Sequence, residues 1–324
     1  MPRKAQPPSI DGILVVDKPC GKTSHDIVES VRRLAGFRQI GHLGTLDPLA
    51  TGVLVLALGR ATRLARFYSG RRKRYSCAVR FGFATDTYDA DGEPLGPDSA
   101  PVLDAEKIAS LAATFIGAIQ QRPPSFSAKK IHGRPAHELA RKNKPVNLEP
   151  VEVEVFEFRL TGVEGSLARF VVECGAGTYI RSLAHDLGKL HGSGAHLAEI
   201  SRTAVGEFTL DQAVSLPDLE RDAKAGDFVK HVIKLEGMLP SLPRAAVLPI
   251  VEKRVRHGAK FNVSLAQIQS GDTTLSQNAP AQLDSGGWRP SRLRVFNQQG
   301  KLIAIAEAVV PRTYQPLVVL EAGE

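Results

Sequence analysis

Two stretches of the chain are apolar without interruption, the β-branched run Ile13–Val16 and the run Val53–Leu58, each of strand length. Such runs predict buried strands. Over Tyr75–Phe83, Val151–Arg159 and Ala168–Cys174, apolar and polar residues alternate, which predicts strands with two unlike faces. A spacing of three to four residues takes over at His25–Leu34, where Thr23 and Ser24 offer an N-cap, and again at Ala105–Phe115, His137–Lys142 and Tyr179–Leu190, predicting helices. Strands and helices mixed in this way, with long connections, predict an α+β fold.

Residues 1–9 read as a disordered tail. The texture changes around Ser215–Pro249, where a charged helical stretch is followed by Leu239-Pro-Ser-Leu-Pro, a linker pattern. Beyond it, Val247–Phe261, Arg292–Phe296, Leu302–Ala308 and Leu317–Leu320 read as short strands of a small β domain, interrupted by a polar loop at Gln267–Gly287. A chain of 324 residues accommodates this division into a large domain over residues 10–240 and a small one over 245–322.

Charge adds a partner class. The net charge of +8 is unevenly spread: Arg60 to Arg80 holds eight basic residues and no acidic one, and Arg122 to Glu149 holds seven basic against two acidic. Two local basic zones suggest a polyanion such as nucleic acid. For Arg71-Arg72-Lys73-Arg74 the alternative is a solvated turn. No apolar run approaches a membrane span, and Met1-Pro-Arg-Lys-Ala-Gln-Pro-Pro lacks the apolar stretch of a secretion signal. Cys20, Cys77 and Cys174 are odd in number and widely spaced, which disfavours a disulfide framework and a metal knuckle. A cytoplasmic protein is expected.

Three chemical motifs fail on spacing. Gly21-Lys22-Thr23-Ser24 resembles the end of a phosphate-binding loop, but the glycine required five places earlier is Val16. His185, His191 and His196 do not share a helical face and read as surface or capping histidines. Gly175-Ala176-Gly177 lacks the rest of a dinucleotide fingerprint. The segment Gly41-His-Leu-Gly-Thr-Leu-Asp-Pro-Leu-Ala-Thr-Gly-Val-Leu is more informative, because it sets one carboxylate, Asp47, among apolar and small neighbours. An ionised carboxylate there is costly unless paired or used. The alternative makes Asp47 a turn residue before Pro48.

This loop, together with Gly12-Ile-Leu-Val-Val-Asp-Lys-Pro-Cys-Gly-Lys-Thr-Ser, resembles the TruB family of pseudouridine synthases. Lys73-Arg-Tyr-Ser, Thr85-Asp-Thr-Tyr-Asp-Ala-Asp-Gly and Gly177-Thr-Tyr-Ile-Arg-Ser-Leu-Ala-His-Asp-Leu-Gly agree in order, and Arg122-Pro-Pro-Ser-Phe-Ser-Ala-Lys-Lys resembles the family's RNA-gripping insertion, about residues 122–150. The likeness spans about residues 10–210. The C-terminal part resembles a PUA-type β domain more loosely, and its polar insertion 267–287 departs from the shorter pattern.

The resemblance implies a mainly antiparallel mixed sheet with flanking helices, and isomerisation of uridine 55 in the T loop of tRNA. The N1–C1′ bond breaks, the uracil turns and C5 rejoins, with no metal or other cofactor expected. It implies that Asp47 is the catalytic carboxylate, Arg181 its two-pronged partner, and Tyr75 the ring stacking on the flipped uracil. It further implies that His42 fills the space left by the extruded nucleotide, that Tyr179 and Ile200 (in place of the leucine expected) line the uracil pocket, and that Asp89, Lys129, Lys130, Arg141 and Lys142 bind substrate. The T arm of tRNA is the expected partner, with no membrane and no obligate protein partner. Three rival readings are a non-catalytic RNA-binding protein, a small GTPase or kinase, and a related synthase that works with accessory proteins. The first leaves Asp47, Tyr75 and Arg181 without a purpose, the second is weakened by Val16, and the third is disfavoured by the uninterrupted insertion.

Overall fold

The computed structural model describes residues 10–124, 126, 148–272 and 290–321, and the backbone alone at 130–131 and 134–135. The expected tail, the helix at His137–Lys142 and most of the polar loop 267–287 lie outside the described residues.

One large sheet and one small sheet organise the chain. The large sheet begins with β1 (Gly12–Lys18), β2 (Ile40–His42), β3 (Thr51–Leu58), β4 (Lys73–Phe81) and β5 (Gly117–Gln121). A two-residue pair, β6 (Lys130–Ile131) and β7 (Arg134–Pro135), stands apart from it. The sheet is completed by β8 (Val151–Glu164), β9 (Leu167–Cys174), β10 (Ala195–Val205), β11 (Phe208–Thr209), β12 (Val214–Ser215) and β13 (Val232–Lys234). Its path runs β12-β1-β3-β10-β4-β9-β8-β5. Only β12 on β1 and β10 on β3 pair in parallel.

Helices α1 (Ser24–Ala35), α2 (Ala105–Ala113), α3 (Ile180–His191) and α4 (Leu216–Lys224) accompany this sheet. The unbroken apolar runs are explained by burial on both faces. In β1, Leu14 and Val16 face α1 and α4, whereas Ile13 and Val15 face the opposite core; Leu54 and Leu56 of β3 divide from Val53 and Val55 in the same way. A third cluster packs Leu183 and Leu187 of α3 and Ile108 of α2 on Phe81, Phe158 and Phe170.

The sequence reading overlooked β10, the strand between β3 and β4. Its pairing with β4 shifts register between Leu197 and Glu199 and again between Arg202 and Ala204. Each irregularity breaks the period-two pattern by which a strand is recognised.

The small sheet contains β14 (Arg244–Ala246), β15 (Phe261–Asn262), β16 (Ile268–Gln269), β17 (Arg292–Phe296), β18 (Leu302–Val310) and β19 (Thr313–Val319), in the order β15-β19-β18-β17-β14-β16. Within Val247–Phe261, read as strand, the chain instead forms helix α5 (Pro249–Arg256). Proline at its first position and basic residues in its last turn favour that helix, and Val251 and Val255, four apart, turn one face to the core. The two sheets share a core: Leu64 and Tyr68, after β3, and Leu235 and Met238 pack with Phe296, Leu302, Ile305 and Val318.

Candidate active site

Residues 43–50, between β2 and β3, form the loop that carries Asp47. Its turn is closed by the Ala50 amide donating to the Asp47 carbonyl at 3.1 Å. Two buried cations hold its backbone. Lys18, fully buried at the end of β1, donates through Nζ to the carbonyls of Pro48 (3.2 Å), Lys22 (2.7 Å) and Pro19 (2.9 Å). Arg202 of β10 donates to the carbonyls of Gly44 and Thr45, both at 3.1 Å, and through Nε to Val53 O at 2.8 Å. Burial pushes the Lys18 ammonium below the usual lysine value, opposed by neighbouring acids including Asp47. The sequence reading gave neither residue a role. Lys18 stood inside a quoted motif, and a lysine closing an apolar run was its signal; Arg202 sat on the strand whose pattern was broken.

The Asp47 side chain, half exposed, faces the Arg181 guanidinium, with Oδ2 and Nη2 3.0 Å apart. Arg181 stands in the first turn of α3 and is buried. The expected two-pronged grip on Asp47 is instead divided between two carboxylates. Nη1 donates to Asp89 Oδ2 and to the Thr87 carbonyl, each at 3.2 Å, and Nη2 also donates to the Phe126 carbonyl at 3.0 Å. Asp89 was expected to bind substrate. It is buried behind Arg181, and its other oxygen accepts from Thr87 Oγ1 and from the Asp91 amide. This network fixes the guanidinium plane and leaves Asp47, the more exposed acid, open to the cleft.

That cleft has a volume of about 480 Å³, and Asp47, Tyr75, Asp89, Tyr179, Arg181 and Ile200 all line it, with His42 and Lys73. Tyr75, on β4, lies opposite Arg202 in the register with β10. Burial pushes its hydroxyl up to about 12, although the Arg202 guanidinium pulls the other way. It is therefore protonated at neutral pH. The His42 ring is held below the usual histidine value by desolvation first and then by Arg202, so it is neutral at pH 7. Tyr179 is the N-cap residue of α3, and Ile200 sits on β10 beside Cys77 of β4.

Some of the expected binding residues are not brought to the cleft. Lys129, Arg141 and Lys142 lie outside the described residues, as does the side chain of Lys130. The run Arg71–Arg74 is neither a solvated turn nor a free phosphate grip. Arg71 faces Glu207 at 3.8 Å and donates to Ser241 Oγ at 3.1 Å. Arg72 pairs with Glu173 at 3.3 Å and stacks over Phe156, and Arg74 pairs with Glu157 at 3.0 Å. Lys73 Nζ bonds the Arg71 carbonyl at 2.9 Å. The histidines also differ from expectation: His185 and His196 are buried, because α3 and β10 turn them inward against Tyr88 and Phe83. No group of three or more potential metal ligands occurs among the described residues.

Comparison with known proteins gives the class. The chain is 44% identical over 311 residues to tRNA pseudouridine synthase B of Solibacter usitatus, covering 96% of this chain and 100% of that protein. The namesakes of Thermobifida fusca (42%, 78% of this chain and 87% of theirs) and Aquifex aeolicus (40%, 72% and 82%) are also similar. In fold, the chain resembles one in the crystal structure of a Cbf5–Nop10–Gar1 complex, with a TM-score of 0.71 and 24% identity over 97% of this chain and 86% of that one. Both sheets fall within that likeness, which gives the pseudouridine synthase fold with a small PUA-like β domain. The family description for the N-terminal domain of TruB pseudouridylate synthases matches residues 32–180, and that for the tRNA pseudouridylate synthase B C-terminal domain matches residues 181–246. The chain belongs to the TruB family of pseudouridylate synthases, enzymes of the isomerase class.

Proposed function

We propose that this protein isomerises uridine 55 in the T loop of tRNA to pseudouridine, with Asp47 as the catalytic carboxylate. The observation that carries this reading is the Asp47–Arg181 ion pair at the wall of an open cleft: the acid is half exposed and its partner is anchored from behind. Such a carboxylate is held in one orientation without being shielded from a substrate. Tyr75 offers a ring face for a uracil and, being protonated, a hydrogen-bond donor to it. Tyr179 and Ile200 supply apolar walls to the same cleft. A base stacked in a folded loop must be extruded to reach Asp47, at a cost of a few kcal/mol, which phosphate contacts elsewhere offset. The names of the similar proteins support tRNA as the substrate.

On this reading, residues 10–240 form the catalytic domain, the insertion at about 122–150 grips RNA with Lys129, Lys130, Arg141 and Lys142, and residues 245–322 form a second RNA-binding domain. The test is pseudouridine mapping on unmodified total tRNA incubated with the purified protein and no added cofactor. Conversion at position 55 is expected. Absence of product, or product only at other positions, would overturn the assignment.

A further inference from the structure

Two buried, neutral side chains outside the ion pair repeat one contact pattern on either side of it. Ser24, at the start of α1, is 3% exposed; its hydroxyl accepts from the Leu46 amide at 2.8 Å and donates to the Leu46 carbonyl at 3.0 Å. Gln121, at the end of β5, is 1% exposed; its Oε1 accepts from the Tyr179 amide at 2.8 Å and its Nε2 donates to the Tyr179 carbonyl at 3.0 Å. In each case one side chain takes both polar groups of a single residue, as a neighbouring strand would. The residues gripped are not arbitrary: Leu46 precedes Asp47, and Tyr179 begins the turn that carries Arg181.

We propose that Ser24 and Gln121 are positioning residues, each setting one half of the Asp47–Arg181 pair. Lys18 and Arg202 bond only carbonyls, which restrains a loop without fixing the direction of its amides. A side chain that bonds both N–H and C=O fixes the orientation of the residue between them. Neither Ser24 nor Gln121 brings a charge, so the field at the carboxylate stays that of Arg181 and Asp89. Thr23, the true N-cap of α1, satisfies the helix start through its box with Asp26, so the Ser24 hydroxyl is not needed for capping. The N-cap position of α3, in contrast, has no side-chain cap of its own, and Gln121 supplies the partner for its backbone. A displacement of about 1 Å in a reacting group can cost about a hundredfold in rate. The inference rests on the function proposed above.

The test compares Ser24→Ala, Ser24→Cys, Gln121→Met and Gln121→Glu with the parent. In single-turnover reactions at saturating tRNA, Ser24→Ala and Gln121→Met are expected to lose about tenfold or more in rate. Their tRNA affinity should stay within about twofold, because affinity comes mainly from phosphate contacts. Ser24→Cys, with the same shape and weaker hydrogen bonds, should fall between Ser24→Ala and the parent. Gln121→Glu gives a pH signature that simple loosening would not. A protonated carboxyl can both accept and donate, whereas an ionised one only accepts. Its rate relative to the parent should therefore fall as pH rises, while the ratio for Gln121→Met stays flat. Rates equal to the parent's, a loss confined to affinity, or a flat ratio for Gln121→Glu would overturn the proposal.

Amide hydrogen exchange provides a readout independent of catalysis. Leu46 should lose protection in Ser24→Ala alone and Tyr179 in Gln121→Met alone, with the rest of the map unchanged. Loss of protection spread through the large sheet would count against a positioning role. A parent that makes no pseudouridine would refute the function, and the exchange data would still decide the positions.

Discussion

Asp47 is the least protected member of its network, and that exposure makes its substitution informative. Asp47→Asn keeps the shape, removes the charge opposite Arg181, and should abolish turnover while tRNA affinity changes by no more than a few fold. Product from this variant at a tenth of the parent rate would be incompatible with the assigned role. Arg181→Lys should recover little activity relative to Arg181→Met, since an ammonium cannot reach Asp47, Asp89, Thr87 O and Phe126 O from one plane; near-parental rates for the lysine variant would contradict this. Tyr75→Phe retains the ring and loses a hydroxyl that is protonated through pH 9. It should bind tRNA normally and lose about tenfold or more in single-turnover rate, as expected where a proton or hydrogen bond is supplied. Unchanged kinetics would reduce Tyr75 to a stacking surface. At this scale the sequence showed Asp47, Tyr75 and Arg181 through the residues flanking them. It did not show Lys18, Arg202, Ser24 or Gln121, whose contacts are to backbone atoms of distant segments and leave no pattern of side-chain type.

Elements with a regular period were legible and irregular ones were not. The apolar runs marked β1 and β3 because burial on both faces removes any need for polar positions. β10, shifted twice, hid among residues that read as loop, and α5 was mistaken for strand because its eight residues offer a single apolar face in a β-rich region. α3 carries a feature with a thermodynamic consequence. His185, one turn after Arg181, stacks on Tyr88 with ring centroids 3.7 Å apart, and burial lowers its pKa to about 4. Its buried Nδ1 finds no hydrogen-bond partner among the described residues. The folded pKa lies below the usual value of 6.5, so the unfolded chain takes up a proton first as pH falls. The stability held in the neutral ring is complete above pH 6.5 and is lost as pH approaches 4, by at most about 3 kcal/mol. His185→Phe keeps a ring against Tyr88 and should flatten unfolding free energy against pH in this window. Parallel denaturation curves for parent and variant across pH 4–6.5 would exclude it.

Across the whole molecule, net charge describes the RNA-binding surface poorly, because several of its cations are already engaged. Arg72, paired with Glu173 and stacked on Phe156, serves the sheet. Arg72→Ala should lower the melting temperature and leave the salt dependence of binding to a T-arm stem-loop nearly unchanged. Replacing Lys129 and Lys130 together by Ala should reduce the log–log slope by about 1.5, at roughly 0.7–0.9 per phosphate released. The opposite ranking of the two variants would return the Arg71–Arg74 run to the interface.

The core shared by the two sheets has a further consequence. Arg294 of β17 donates to the carbonyls of Leu242 and Met238 in the connecting segment, the Leu239 amide donates to Tyr68 Oη, and Arg60 joins Asp11 to Glu321 across the junction. With both sheets locked into one core, the span from Asp47 to any point on the small sheet is fixed by protein, and the molecule is a calliper. An RNA that touches both sheets must present its target base and its second contact at that one separation. Lengthening or shortening the intervening stem by single base pairs should therefore remove the second contact in a step; affinity that declined smoothly with stem length would mean that the jaws flex.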